Sequence, residues 1–315
     1  MSGTFGSMVK RAAVLDLGTN TFQLVIAERL GETLQFLHRD ERWVNLAEDG
    51  IERIGGRALE RMEITLSVYK TMLDKFEPGV VKAFGTAAFR HAANRDEASA
   101  LVERLIGVAP QVLAGDEEAG WIYEGTRLAI QQHEESALLD KTVLVMDIGG
   151  GSTEFILGRG HAILWKKSFP LGATLLRQLF HKSDPMAFDE MHALRRHVGD
   201  TVSVLQEAVA MHQPVALIGA SGSFESFASI LCYPDESENA LVELDPNALN
   251  GLIDDLVGMN EAQRRRVPGL AGFRVGPIVT ASLLTRVVLE RFSFQRVYRS
   301  AYALKEGLMV RALKA

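Results

Sequence analysis

Twice along this chain an apolar run ends in an aspartate and then a glycine: Val14-Leu15-Asp16-Leu17-Gly18-Thr19 near the start, and Val145-Met146-Asp147-Ile148-Gly149-Gly150 near the middle. A short run without polar alternation reads as a strand buried on both faces, and the glycine behind it as a turn. The repeated pattern reads as a weak internal duplication. With 315 residues, 47% of them hydrophobic, the chain can build two cores rather than one.

The segments around each run support that reading. Residues 22–29 read as the hairpin partner of the first strand, and residues 34–46, after the Leu30-Gly31-Glu32 break, as a third strand of the meander. Leu59, Met62, Leu66, Tyr69 and Leu73 recur at helical spacing before Pro78 and Gly79. Strands are expected over 80–84 and 111–113, with a helix from Asn94 or Asp96 to Gly107 between them and another opening at Gly115. A polar run, 131–141, separates the halves. Strands over 142–147, 153–157 and 161–169 follow, then one long helix carrying Phe188, Met191, Val198, Val202, Leu205 and Val209. Residues 214–218 form a strand entering Gly219-Ala220-Ser221-Gly222-Ser223. Helices fill most of the remainder, including 278–289, and a last helix over 303–313 packs back onto the first half. The alternation is α/β.

Composition removes several function classes. A net charge of -6 argues against a general nucleic-acid binder, whose affinity rests on Lys and Arg neutralising phosphates. The single cysteine, Cys232, excludes an internal disulfide framework and fits a reducing compartment. Met1 to Ser7 lack the charged start and apolar middle of a secretory signal, and no stretch approaches the roughly 20 apolar residues that span a bilayer. The expectation is a soluble cytoplasmic protein with no membrane or nucleic-acid partner.

The chemistry-bearing segments are glycine-rich. Glycines after a buried strand let backbone N–H groups turn toward an anion, while Ser and Thr hydroxyls add donors. Gly149-Gly150-Gly151-Ser152-Thr153 and Gly219-Ala220-Ser221-Gly222-Ser223 both fit, although each alone is equally a tight turn. Asp16 and Asp147 are hard oxygen ligands beside these turns, suited to Mg²⁺ bridging protein and phosphate, or else to capping the turns. Glu154 lies between Thr153 and Phe155, so strand alternation turns it to the opposite side from both. Glu118 opens a helix within Gly115-Asp116-Glu117-Glu118-Ala119, where acids usually complement the dipole. Arg90, in Thr86-Ala87-Ala88-Phe89-Arg90, reads as a bidentate clamp on phosphoryl oxygens or as a surface residue past a strand.

Taken in order, Leu15 to Phe22, Thr86 to Arg90, Gly115 to Ala119 and Asp147 to Glu154 resemble the exopolyphosphatase and guanosine pentaphosphate phosphohydrolase family. Phe169-Pro170-Leu171-Gly172, Gly219 to Ser223 and Leu304-Lys305-Glu306-Gly307-Leu308 extend the match over nearly the whole chain. The resemblance implies α/β architecture of two actin-like, ribonuclease-H-like domains flanking a cleft, here residues 1–135 plus 301–315 and residues 136–300. It further implies Mg²⁺-dependent attack of water on the terminal phosphoanhydride of polyphosphate or guanosine pentaphosphate. Glu118 matches the family's general base, and Glu154 and Arg90 complete the catalytic set. Asp147, Asp16 and Glu154 surround the metal. Phosphates are held by Thr19, Asn20, Gly149, Gly150, Gly151, Ser152, Thr153, Gly219, Ser221, Gly222 and Ser223. Homodimers are common among such folds.

Two other readings share these turns: an actin-like ATP-binding switch or sugar kinase, and a non-catalytic alarmone-binding module. The segments Thr86 to Arg90 and Gly115 to Ala119 weigh against the first. The chain resembles the short, two-domain form of the family, without the helical domain that longer members append. It departs from them at Arg274-Val275-Gly276, where many relatives carry Arg-Ala-Asp. Lys166, Lys167, Arg177, Lys182, Arg195, Arg196 and His197 form either a basic lining for a polyanion or a solvated face. The run Arg264-Arg265-Arg266 reads as surface. No zinc spacing and no nucleophile elbow occur.

Overall fold

The structure is a computed structural model that describes residues 11–30, 33–134, 136–232 and 239–314. The readings placed on Met1 to Ser7 and on Gly31-Glu32 lie outside those residues.

Each repeated strand forms the middle of a sheet. In the first half β1 (Arg11–Leu17) pairs antiparallel with β2 (Thr21–Leu30), which pairs with β3 (Thr33–Trp43). On the other side β1 runs parallel to β4 (Val80–Gly85), and β4 to β5 (Gln111–Val112), giving the order β3-β2-β1-β4-β5. The second half repeats the plan. β6 (Val143–Ile148), β7 (Thr153–Arg159) and β8 (Ala162–Phe169) form the meander, and β9 (Leu217–Ala220) lies parallel to β6. β11 (Val297–Ser300) then pairs parallel with β9, and β10 (Leu241–Leu244) adds an antiparallel edge. Two mixed sheets of this order are the actin-like fold.

Burial of β1 and β6 on both faces follows from helices on both sides. In β1, Ala13, Leu15 and Leu17 enter an outer core with α1 (Gly56–Phe76), α2 (Ala87–His91) and α3 (Arg95–Ile106). Ala12 and Val14 point the other way, into a middle core that also holds Val143 and Val145 of β6. That middle core is filled by α4 (Gly115–Gln131) and α12 (Leu304–Lys314), which pack against each other. Leu144, Met146 and Ile148 face a third core, shared with α5 (Ala173–Phe180), α6 (Phe188–Thr201), α7 (Ser203–His212), α8 (Ser221–Leu231), α9 (Pro246–Gly258) and α11 (Ile278–Phe292). The molecule is thus layered, with two helices between two sheets.

Three expectations are corrected. The long helix of the second half breaks into α6 and α7 at Val202, after the poor helix formers Gly199, Asp200 and Thr201, although Val202 itself stays buried. β10 and β11 occupy a region read as helical, because four-residue strands give too little periodicity to register. Arg264, in α10 (Glu261–Arg264), is not a surface residue: it is 1% exposed, donates to Val275 O at 3.0 Å and to Met259 O, and pairs with Asp184 at 2.8 Å. It ties down the loop that contains Arg274 and Gly276. Among the described residues, no helix is long and apolar enough to cross a membrane.

Candidate active site

The two repeated aspartates meet across the gap between the sheets. Asp16 lies one residue from the end of β1 and Asp147 one residue from the end of β6, and both line a cleft of about 910 Å³, counting the space open to solvent. Thr19, Asn20, Gly149, Gly150, Gly151, Ser152, Ser221, Gly222 and Ser223 line the same space, as do Glu118 and Glu154. The duplication extends to the neighbouring strand: Gln23 opposes Asp16 on β2 as Glu154 opposes Asp147 on β7, and Gln23 also faces the cleft.

Three expected site residues do not line it. Thr153 is fully buried and its hydroxyl donates to Leu171 O at 3.0 Å, which is the side opposite Glu154 that strand alternation requires. Gly219 lies under Phe224, whose ring would stand 1.9 Å from a Cβ at that position, so this glycine serves packing. Arg90 stands behind the wall. Its guanidinium donates to Leu113 O at 2.9 Å, to Glu118 Oε2, and to Ser152 Oγ at 3.3 Å. In this arrangement Arg90 is joined to Glu118 and to the hydroxyl of the glycine turn.

The acids are crowded and shielded from water. Burial pushes the Glu118 carboxyl up to about 7, against the pull of Arg90 and with some help from Asp147. Burial likewise raises Asp147 to about 6, against a hydrogen bond from Ser221 and the charge of Lys305. Ser221 holds that position with φ +63°, a left-handed conformation uncommon for serine, at the turn from β9 into α8. Glu154 lies well above the ordinary carboxylate range through burial and then through Glu118 and Asp147, although Ser168 Oγ donates to it at 2.6 Å. Asp16 is raised to about 8 by burial, then by Glu118, with Lys305 opposing. Its Oδ1 is buried without a hydrogen-bond partner.

Lys305, on the first turn of α12, is a charge the motif reading left out of the site. Arg274 was also left out. Its guanidinium donates to Gly222 O and pairs with Glu41 on β3 at 3.1 Å, joining the two sides of the cleft. Thr174 Oγ1 donates to Asn20 Oδ1 and Gln178 Nε2 to Ala47 O, each at 2.7 Å, so α5 closes the same gap. Of the seven basic residues considered above, Arg177 and Lys182 border the adjoining cavity. Arg195 instead pairs with Glu290, and Arg196 contacts His192 on the outer helices.

A model of the Ppx/GppA phosphatase family matches residues 25–315. The chain belongs to that family. This Ppx/GppA protein is therefore an enzyme, a hydrolase of phosphoanhydrides. It superposes on the crystal structure of an exopolyphosphatase from Cytophaga hutchinsonii with a TM-score of 0.90 at 30% identity, over 97% of this chain and 98% of that one. Exopolyphosphatase 2 of Mycobacterium tuberculosis is 27% identical over 317 residues, covering 95% of this chain and 97% of that protein. The Aquifex aeolicus PPX-GPPA enzyme shares the fold, with a TM-score of 0.79 at 24% identity over 96% and 99%.

The raised acids set a sign for stability in this Ppx/GppA protein. Between the ordinary carboxylate value near 4 and the folded values of 6 to 8, the folded chain binds protons that the unfolded chain releases. Their contribution is full below the lower value and is lost as pH rises through the upper ones. In buffer with a metal chelator, the melting temperature is expected to fall from pH 5 to pH 8.5, and Asp16→Asn to fall less steeply. Equal slopes in thermal melts of the two proteins would contradict this.

Proposed function

We propose that the protein removes the terminal phosphoryl group of inorganic polyphosphate as orthophosphate, by attack of a water molecule that Glu118 deprotonates. The observation that carries this reading is Glu118 itself: a carboxyl raised to about 7, held by Arg90 and facing two glycine-rich turns across the cleft. A base with that proton affinity is half-ionised near neutral pH, the condition under which general-base catalysis is efficient. The water oxygen bonds to the terminal phosphorus, the bridging P–O bond breaks, and the chain leaves one phosphate shorter. Backbone N–H groups of residues 150–151 and 221–223, with the Ser152 hydroxyl, suit the non-bridging oxygens, while the Gly149 N–H closes the turn onto Ser152 O. Lys305 offsets part of the negative charge. Positioning and charge neutralisation are what the loose phosphoryl-transfer state requires.

Mg²⁺ is part of the proposal. Among the described residues no three His, Cys, Asp or Glu converge as a ready-made cage. Mg²⁺, however, commonly takes one or two carboxylates and completes its shell with water and substrate phosphate. The unpartnered Oδ1 of Asp16 and the carboxylate of Asp147 fit that donor set, with Glu154 beside them. When bound, the ion would neutralise charge on the phosphoryl oxygens. We place the reaction in the cytoplasm, a reducing compartment that suits a chain with a single cysteine.

Guanosine pentaphosphate presents the same terminal anhydride and is the second candidate substrate. Phosphate release is to be measured from tripolyphosphate, long polyphosphate, guanosine pentaphosphate and ATP, with and without Mg²⁺. Mg²⁺-dependent release from a polyphosphate is the expected result. Turnover of ATP alone would favour an actin-like ATPase instead, and binding without release an alarmone-binding module.

A further inference from the structure

Beside the cleft lies a second cavity of about 730 Å³ on the same measure. Asn20, Phe273 and Pro277 line both spaces, so the two adjoin at the phosphate-binding end. Arg177 and Lys182 bring positive charge to the second cavity. The acid on its wall, Glu48, is already engaged by Arg61 at 2.7 Å and Arg57 at 3.0 Å.

Arg177 has a particular setting. Among the described residues its guanidinium has no hydrogen-bond acceptor and no carboxylate at ion-pair distance. It lies against the bare Cα of Gly276, where a Cβ would stand 2.5 Å from Nη1. An aspartate there would reach the guanidinium directly. The glycine leaves it exposed and unpaired at the cavity, while Arg264 fixes the adjoining Val275 carbonyl.

His181 adds an independent sign of a missing ligand. Its side chain is 5% exposed, it lines this cavity, and neither ring nitrogen has a hydrogen-bond partner. The Asp184 carboxylate stands 3.8 Å from Nε2 and is already taken by Arg264. Burial and the charges of Arg264 and Arg177 hold the imidazole neutral, leaving a donor and an acceptor to satisfy.

We propose that this second cavity is a distal-phosphate subsite, in which Arg177, Lys182 and His181 hold the phosphates behind the one being removed, and that Gly276 makes Arg177 available to them. The inference rests on the phosphohydrolase reading above. An anionic chain is favoured over a nucleoside because the exposed aromatic ring on the wall, Trp43, already carries the Arg61 guanidinium 5.1 Å from its centroid. Arg177 is then a specificity-determining residue, remote from the bond that breaks.

The test compares kcat/KM for long polyphosphate with that for tripolyphosphate in wild type, Arg177→Ala, Gly276→Ala and Gly276→Asp. Arg177→Ala and Gly276→Asp should each lower the ratio of long to short about tenfold, the value of one lost charge-assisted contact. Gly276→Ala displaces the guanidinium tip without pairing it, and should keep the ratio near wild type. An unchanged ratio in Arg177→Ala, or identical behaviour of the two Gly276 variants, would overturn the subsite. An effect of Arg177→Ala on guanosine pentaphosphate but on neither polyphosphate would overturn the phosphate assignment. Should the wild type release no phosphate from any of these, the function itself fails. Calorimetric titration with long polyphosphate then decides the subsite separately: weaker binding by Arg177→Ala keeps it, and equal binding removes it.

Discussion

Glu118→Ala is expected to lower phosphate release from polyphosphate by about 10²-fold or more, the usual worth of a positioned general base. Glu154→Ala should cost a similar factor. Both carboxyls are buried among other acids, Glu118 at 6% exposure and Glu154 at 1%, and both bind protons more tightly than an ordinary glutamate. Burying such groups opposes folding when they are charged, so their removal spares the fold. The loss of activity should therefore come without loss of melting temperature. Glu118→Asp sharpens the test, because it keeps the charge and the Arg90 partner but withdraws the carboxylate by one methylene. A base acting on a positioned water tolerates such a shift poorly. Turnover at the wild-type rate by either alanine variant would sink the assignment of that residue.

The second large effect is on stability. α4 and α12 cross in backbone contact: a Cβ at Gly307 would stand 2.0 Å from Trp121 O, and one at Gly125 would stand 1.9 Å from Ala303 O. In an open helix, Gly→Ala would gain about 1 kcal/mol from propensity. Here the obstacle is a carbonyl rather than a rotatable side chain, so the helices must separate, and overpacking of this kind costs about 1–3 kcal/mol or more. Gly307→Ala and Gly125→Ala should each lower the melting temperature by several degrees. Activity should fall too, since α4 carries Glu118 into the cleft and α12 carries Lys305, whose charge acts on Asp16 and Asp147. A melting temperature at or above wild type would contradict the close crossing.

The two aspartates were legible because a strand buried on both faces leaves a distinct trace, a short unalternated apolar run. Parity along β7 was legible as well: the same alternation that turns Glu154 to the cleft turns Thr153 away from it. Glu118 was different. Read locally it is one of three acids in a first helical turn, and only the packing of α4 between the sheets makes it buried and raises its proton affinity. Motif resemblance, not physics, singled it out. Lys305 and Arg274 lie in segments already recognised, but the charge the first brings to Asp147 and the place of the second in the cleft depend on chain returning from far along the sequence. Arg264 misled because a basic triplet reads as solvated, while a single helical turn buried its first member.

The layer of two helices between the sheets also bears on how the molecule comes apart. A duplicated chain invites the picture of two autonomous halves, each melting by itself. Here β1, β6, α4 and α12 all contribute to one apolar cluster. Detaching either sheet strips the inner faces of both helices, and the other sheet loses the surface it was built against. The halves are joined at a shared dry centre, so they are expected to unfold together, as a single calorimetric transition, even though each half repeats the other's plan.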